Sequence, residues 1–418
     1  MIHLEGGFMK YIIILGDGMS DYPIEQLENK TPLEAAHKPN IDALAAYSEM
    51  GLVTTVPSGL APGSDVANLA AIGYDPSIFY TGRSPLEAMS MNVNMSETDV
   101  AIRCNLVTLG VGDSQDSSYE NMTMIDYSSD EICTEDSKIL IDFLQEKLGN
   151  ERFTFHPGIS YRHCVIADNG VIGLSLVPPH DILEKKITDY LPKGPDNVEI
   201  LDLMKKSFDL LSNHPLNLER VKNGLNPANS IWLWGEGKRP SLDQFEKKFG
   251  IRGAVISAVD LLKGIGKCAG MLTCEVEGAT GNIHTNFSGK AEAAIQAFRD
   301  GYDFVYLHIE APDECGHRNE VENKVKSIEL IDEKIVGPII KASAELGPIR
   351  ILVMPDHPTP ISLRTHTSEP VPYLIASTVD GEVSRSRQPL NMIYSEANAA
   401  KTGIYEENGY KMIYKLLS

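Results

Sequence analysis

The chain has 418 residues, of which 42% are hydrophobic and 23% charged, with a formal net charge of −21. That composition is globular rather than disordered, and that charge repels nucleic acid and anionic lipid over most of the surface. No run nears the roughly 18 apolar residues of a membrane-spanning helix, so neither nucleic acid nor membrane is expected as a partner.

At this length the chain suits two domains, or one large domain carrying an insertion. Residues 1–8 precede the first strand signal and read as a dangling leader, with Met9 as an alternative start. They lack the basic region and long apolar core of a secretory signal. Six scattered cysteines without a CxxC pair point to a reducing cytoplasm and away from a cysteine zinc site. Tyr11-Ile-Ile-Ile-Leu is a continuous apolar run closed by Gly16, which predicts a strand buried on both faces. Asp17 follows at once. Residues 39–50 carry apolar side chains at three- and four-residue spacing, the mark of an amphipathic helix.

In Ala61-Pro-Gly-Ser-Asp-Val-Ala-Asn-Leu-Ala-Ala, Gly63 allows close backbone approach and Ser64 opens a helix of small residues. The first amides and the dipole of such a helix favour a phosphoryl group, which makes Ser64 the candidate nucleophile. Taken alone, Ser64 reads as a plain helix N-cap.

The middle of the chain is richer in loop signals, among them Pro178-Pro179, Lys193-Gly194-Pro195 and Asn226-Pro227, with an amphipathic stretch at 137–148. It reads as an inserted α+β domain over residues 95–249, interrupting a discontinuous core of residues 1–94 and 250–418. Apolar strand runs return at 304–309, 349–354 and 371–376, with helical spacing over 289–299 and 319–344. Pro338 is expected to kink or divide the last helix. Strands alternating with helices predict an α/β core with a largely parallel sheet.

Ligand sites in open α/β sheets form at the carboxyl ends of strands. Asp17, the pair Asp313 and His317, and the pair Asp356 and His357 each lie just after a predicted strand, and His366 follows nine residues beyond His357. Mixed carboxylates and imidazoles suit zinc or manganese. An Asp-x-x-x-His spacing puts both side chains on one face of a helical turn, and adjacent Asp356 and His357 point apart, one toward each of two neighbouring ions. Two ions roughly 4 Å apart stabilise both the attacking and leaving oxygens of phosphoryl transfer. A cation beside the Ser64 hydroxyl would favour its ionised form without a histidine base. A structural zinc site closes on four ligands, whereas these positions suggest two sites with room for substrate.

The order Asp-Gly, Pro-Gly-Ser-Asp, Asp-x-x-x-His, Asp-His-Pro-Thr-Pro and Arg-Thr-His-Thr resembles the alkaline phosphatase superfamily. Longer strings narrow this to archaeal-type cofactor-independent phosphoglycerate mutases. They include Ile14-Leu-Gly-Asp-Gly-Met-Ser-Asp, Gly63-Ser-Asp-Val-Ala-Asn-Leu-Ala-Ala-Ile-Gly-Tyr-Asp-Pro, Gly158-Ile-Ser-Tyr-Arg-His and Ile231-Trp-Leu-Trp-Gly-Glu-Gly. The resemblance spans nearly the whole chain after Met9. It implies an alkaline-phosphatase-like core with one metal on Asp17, Ser64, Asp356 and His357, and another on Asp313, His317 and His366. It also implies a phosphoserine on Ser64, interconversion of 3- and 2-phosphoglycerate, and no 2,3-bisphosphoglycerate. Manganese is the metal expected, with zinc or cobalt as alternatives.

For the small phosphorylated acid, the substrate-binding candidates are Arg83, Arg103, Arg162, His163, Asp181, Arg252 and Lys263. Arginine forks suit paired carboxylate or phosphate oxygens. A superfamily phosphatase would empty the phosphoserine with water, and a large closing insert argues for transfer instead. A homoserine-kinase label on bacterial relatives finds no GxxxxGK[ST] loop here. These motifs carry no information on assembly.

Overall fold

The computed structural model describes residues 9–112, 118–170 and 172–418, and the leader predicted at residues 1–8 lies outside the described residues. The chain forms two compact units, one of residues 1–80 and 242–418 and the other of residues 81–241. The second unit therefore begins earlier and ends earlier than the borders read from sequence. At its start the helix Ser84–Ser90 belongs with the strand Val100–Gly110: Glu87 on the helix pairs with Arg103 on the strand. At its end, Phe245 stacks on Phe304 in the first unit.

The first unit is an α/β domain. Five strands run parallel in the spatial order Leu272–Cys274, Gly253–Ile256, Phe304–Ile309, Lys10–Gly16, Ile349–Met354. The sheet then turns antiparallel at Val371–Val379 and Glu49–Val53, and Tyr405–Glu406 and Glu382–Val383 complete nine strands among the described residues. The central strands are sealed on both faces, with Ile12, Ile13, Ile14, Val305, Leu307, Ile351 and Val353 fully buried. Continuous apolar runs rather than alternating ones are what such a position demands.

Local sequence explains the helices that carry the site. Ala311–Arg318 begins directly after Phe304–Ile309 and ends on Asn319 at positive φ, a left-handed C-terminal stop. The helix expected over residues 319–344 is divided: Val321–Ile331 passes through a π turn at Asp332–Val336 into Gly337–Leu346. The break sits just before Pro338, whose ring lacks the N–H that a continuous helix needs. The helix expected at residues 39–50 stops at Ala46, and Met50 falls in the strand Glu49–Val53. Its partner there is the antiparallel strand Val371–Val379, so tertiary pairing overrides the helical spacing.

The second unit is α+β, with an antiparallel sheet in the order Thr123–Asp126, Val100–Gly110, Arg162–Ala167, Phe153–Ile159, and Ser230–Lys238 along the other side of Val100–Gly110. The helices Thr134–Leu148 and Asn197–Leu211 bury Leu140, Leu144, Leu203 and Met204 in the same core as Ile102, Leu106 and Trp232.

Candidate metal centre and nucleophile

Parallel register brings the acidic residues to one edge. Leu15 pairs with both His308 and Met354, so the residues after each strand, Asp17, Glu310 and Asp356, emerge together at the carboxyl end of the sheet. The Asp17 amide donates to the Ile309 carbonyl at 2.9 Å, and the Gly18 amide donates to Asp356 Oδ1 at 3.1 Å. Gly18 sits at φ +61°, and a Cβ there would lie 2.8 Å from Asp313 Oδ1 and 2.5 Å from Thr359 Oγ1. Only glycine lets the loop approach this closely.

One group gathers Asp313, His317 and His366. His317 Nε2 lies 3.2 Å from Asp313 Oδ2, His366 Nε2 lies 3.4 Å from Asp313 Oδ1, and the two Nε2 atoms are 2.9 Å apart. One helical turn separates Asp313 from His317, as the spacing requires. The Nδ1–H of His317 donates to the Arg364 carbonyl at 3.0 Å, which leaves the Nε2 lone pair facing the group.

The other group gathers Asp17, Ser64, Asp356 and His357. Ser64 Oγ lies 3.4 Å from Asp17 Oδ2 and 3.2 Å from His357 Nε2, while His357 Nε2 lies 3.3 Å from Asp356 Oδ2 and 3.6 Å from Asp17 Oδ1. Ser64 is the first residue of the helix Ser64–Ala71, and the N-cap is Gly63 in extended conformation. The serine therefore does not cap its own helix; its hydroxyl faces the carboxylates. Asn68, one turn on, donates to the Ser64 carbonyl at 2.8 Å and to Asp356 Oδ2 at 2.7 Å, tying the helix to the ligand loop. The Thr359 hydroxyl reaches both Asp313 Oδ1 and His357 Nδ1 and so joins the two groups.

The electrostatics fit a cation. Burial, then the charges of Asp356, Asp313 and Glu310, push the Asp17 carboxyl well up, and Asp17 Oδ1 is buried with no hydrogen-bond partner. Burial works against the Asp313 charge, but hydrogen bonds from His317 and His366 outweigh it and hold that carboxyl below the usual range. The same Asp313 contact draws the His317 imidazole up to about 9. Burial and the neighbouring acids lift Glu310 to about 7. Buried like charges of this kind need a counter-charge, and two divalent ions would supply it on a donor set of carboxylate oxygens, imidazole nitrogens and one hydroxyl.

All seven metal-ligand positions predicted from sequence thus come together in the first unit. Lys263 lies on the helix Asp260–Cys268, which starts at the same edge, and pairs with Glu275 at 2.7 Å. Arg252 does not join the site. It precedes Gly253–Ile256 and so stands at the opposite, amino edge, where it donates to the Gly301 carbonyl at 2.5 Å and stacks on Tyr302. Adjacency to a strand misled the reading, because only residues after a parallel strand reach the ligand edge.

In the second unit, the Arg103 guanidinium carbon sits over the Trp234 ring, 4.5 Å from its centre, and the arginine pairs with Glu87, which also sits 3.6 Å from Arg83. Arg162 is exposed beside the Tyr161 ring. His163 is buried, accepts from the Gly158 amide at Nδ1, and leaves Nε2 without a partner; burial lowers its imidazole to about 3. Asp181 is exposed and 3.8 Å from His180.

Sequence reasoning missed His308, Asn68, Thr359 and Lys290. His308 Nε2 lies 2.9 Å from Asp17 Oδ2, and Lys290 Nζ donates to the His308 carbonyl at 3.1 Å. The available signal was a titratable residue inside an otherwise apolar strand run, which is costly unless it has a partner.

A family model described as 2,3-bisphosphoglycerate-independent phosphoglycerate mutase matches residues 45–217. The protein of that name from Methanosarcina barkeri is 50% identical over 372 residues, covering 88% of this chain and 91% of its own. Its namesake from Methanothrix thermoacetophila is 48% identical over 371 residues, covering 88% and 91%. A solved structure from Pyrococcus horikoshii superposes with a TM-score of 0.78 at 28% identity, covering 98% of this chain and 96% of that one. With relatives this similar over nearly nine-tenths of its length, the chain belongs to the 2,3-bisphosphoglycerate-independent phosphoglycerate mutase family.

Proposed function

We propose that the protein interconverts 3-phosphoglycerate and 2-phosphoglycerate through a phosphoserine on Ser64, without added 2,3-bisphosphoglycerate and with manganese as its metal. The observation that carries this reading is the Ser64 hydroxyl, at a helix start and 3.2–3.4 Å from His357 and Asp17. Two divalent cations, one held by Asp17, Ser64, Asp356 and His357 and one by Asp313, His317 and His366, would offset phosphoryl charge and favour ionised Ser64. Ser64 Oγ then bonds to phosphorus as the ester oxygen of the substrate departs, and the serine proton ends on the released glycerate hydroxyl. Return of the phosphoryl group to the other glycerate hydroxyl sends that hydroxyl's proton back to Ser64, so protons balance and no water is consumed.

For the acid itself we assign Arg83, Arg103, Arg162, His163, Asp181 and Lys263. Support comes from the Arg103 guanidinium, held in place over Trp234 and by Glu87. Zinc or cobalt can replace manganese on the same donor set. A cytoplasmic location belongs to the same reading and is supported by six free cysteines; among the described residues, no helix is long and apolar enough to cross a membrane.

The test is conversion of 3-phosphoglycerate to 2-phosphoglycerate by manganese-loaded protein with no added bisphosphoglycerate. Release of inorganic phosphate in place of 2-phosphoglycerate would make the enzyme a phosphatase and overturn the mutase reading.

A further inference from the structure

His308 occupies an unusual position. It is completely buried in the central strand Phe304–Ile309, directly opposite Leu15 and beside the strand end that delivers Asp17. Its donor atoms, with those of Asp17 and Asp356, lie within 4.8 Å of one another, so proximity alone would make it an eighth metal ligand.

Hydrogen bonding argues otherwise. Ser257 Oγ accepts from the Val259 amide at 3.0 Å and lies 3.2 Å from His308 Nδ1, within reach to donate its hydroxyl hydrogen to that nitrogen. With a carboxylate oxygen facing Nε2 and a hydroxyl facing Nδ1, the ring carries its hydrogen at Nε2 and accepts at Nδ1. Nε2 lies 2.9 Å from Asp17 Oδ2. Lys290, itself sealed, fixes the backbone beneath the ring through the His308 carbonyl. The chain of contacts runs from Val259 through Ser257 and His308 to one oxygen of Asp17. The other oxygen, Oδ1, is the buried atom without a partner, and it faces His357 Nε2 at 3.6 Å.

We infer that His308 is a positioning residue: it donates from Nε2 to Asp17 Oδ2, fixes the carboxylate plane, and turns Oδ1 toward the cation instead of binding the cation itself. This rests on the metal-centre reading above. It reverses the common arrangement in which a second-layer carboxylate orients a ligating histidine.

Three full-length variants test it. In His308→Gln the side-chain amide reaches the place of Nε2–H and still donates to Asp17. His308→Leu fills the space without a donor. His308→Asn matches the Nδ1 side of the ring and falls short of Asp17. Manganese affinity of each of the two sites is measured by titrating metal-free protein, and the histidine nitrogens coupled to bound manganese are counted by pulsed electron paramagnetic resonance. Leu and Asn are expected to weaken one site by about 10–100-fold and spare the other, with Gln close to the parent protein. The nitrogen count should be unchanged in Gln.

A lost nitrogen in Gln would make His308 a ligand, and Gln no better than Leu or Asn would remove the donor role. Parent-like binding by Leu or Asn would also overturn the proposal. Should Leu not fold, Gln against Asn makes the same comparison. Both readouts are independent of turnover, so a failed mutase assay leaves them intact, whereas a parent protein that binds no manganese defeats the metal reading itself.

Discussion

The Nε2 atoms of His317 and His366 stand 2.9 Å apart, and each also reaches an oxygen of Asp313. Two imidazole nitrogens this close repel unless a proton or a cation lies between them. Chelation is therefore expected to abolish turnover, manganese to restore it, and zinc or cobalt to substitute. Elemental analysis should find two divalent ions per chain in active protein. Full activity in protein shown to hold no divalent metal would defeat the assignment.

A pH dependence of the metal-free protein follows from the same contact. The hydrogen bond to Asp313 raises the His317 imidazole from 6.5 to about 9 in the folded chain. Between these values the folded state holds a proton that the unfolded state has lost. The contribution is therefore complete below pH 6.5 and disappears as pH rises through about 9. Thermal unfolding of metal-free protein should show a melting temperature that falls across this window, and His317→Asn should flatten the fall. Manganese affinity should rise over the same window, because the ion displaces that proton. A metal-free melting temperature equal at pH 6.5 and pH 9 in both proteins would remove the coupling.

Asp17, Asp313, His317, Asp356 and His357 were legible as candidates because each lies just after a strand run, and the parallel direction of those strands sends them to one edge. Ser64 and His366 follow no strand run directly and rested on the helix start and the motif order. The alternating order of strands and helices likewise gave away the parallel core. What adjacency could not convey is direction: Arg252 also borders a strand, but its beginning, and the parallel sheet carries it to the far edge. His308 was hidden for a different reason. Its neighbours Leu307 and Ile309 are core residues, and the partner that makes its burial tolerable, Asp17, is 291 residues away. Borders of the second unit were also obscured, because the helix Ser84–Ser90 looks continuous with the nucleophile region until Glu87 is seen to pair with Arg103.

Lys324 and Asp21 form a second long-range tie. Their side chains meet at 2.7 Å and are almost wholly sealed; Lys324 also donates to the Thr359 carbonyl at 2.8 Å, and Asp21 accepts from the Ile361 amide. The ammonium thus staples the loop after Asp17 to the loop after His357. Lys324→Met leaves a buried carboxylate without its counter-ion and should cost about 3–5 kcal/mol, read as a lower denaturation midpoint. Adding Asp21→Asn should recover part of that loss, since the stranded charge is then gone. A single variant as stable as the parent would show that the pair contributes nothing.

The proposed nucleophile gives the most direct test of mechanism. Ser64 Oγ is held between Asp17 and His357 by a helix whose next turn, through Asn68, is bonded to Asp356. None of those contacts needs the hydroxyl for folding, because Gly63, not Ser64, caps the helix. Ser64→Ala should therefore fold with a melting temperature close to the parent's. It should also keep most of its metal, because the remaining carboxylates and imidazoles still face the ions. On the proposed mechanism, deleting the oxygen removes the phosphoryl acceptor, so turnover should fall by roughly 10³-fold or more. Parent protein quenched with substrate should carry phosphate on the peptide containing Ser64, detectable by mass spectrometry and absent from the alanine variant. An alanine variant with near-parent turnover would exclude the phosphoserine route even if both metals were bound, whereas loss of activity with unlabelled serine in the parent would point to direct transfer between substrate oxygens.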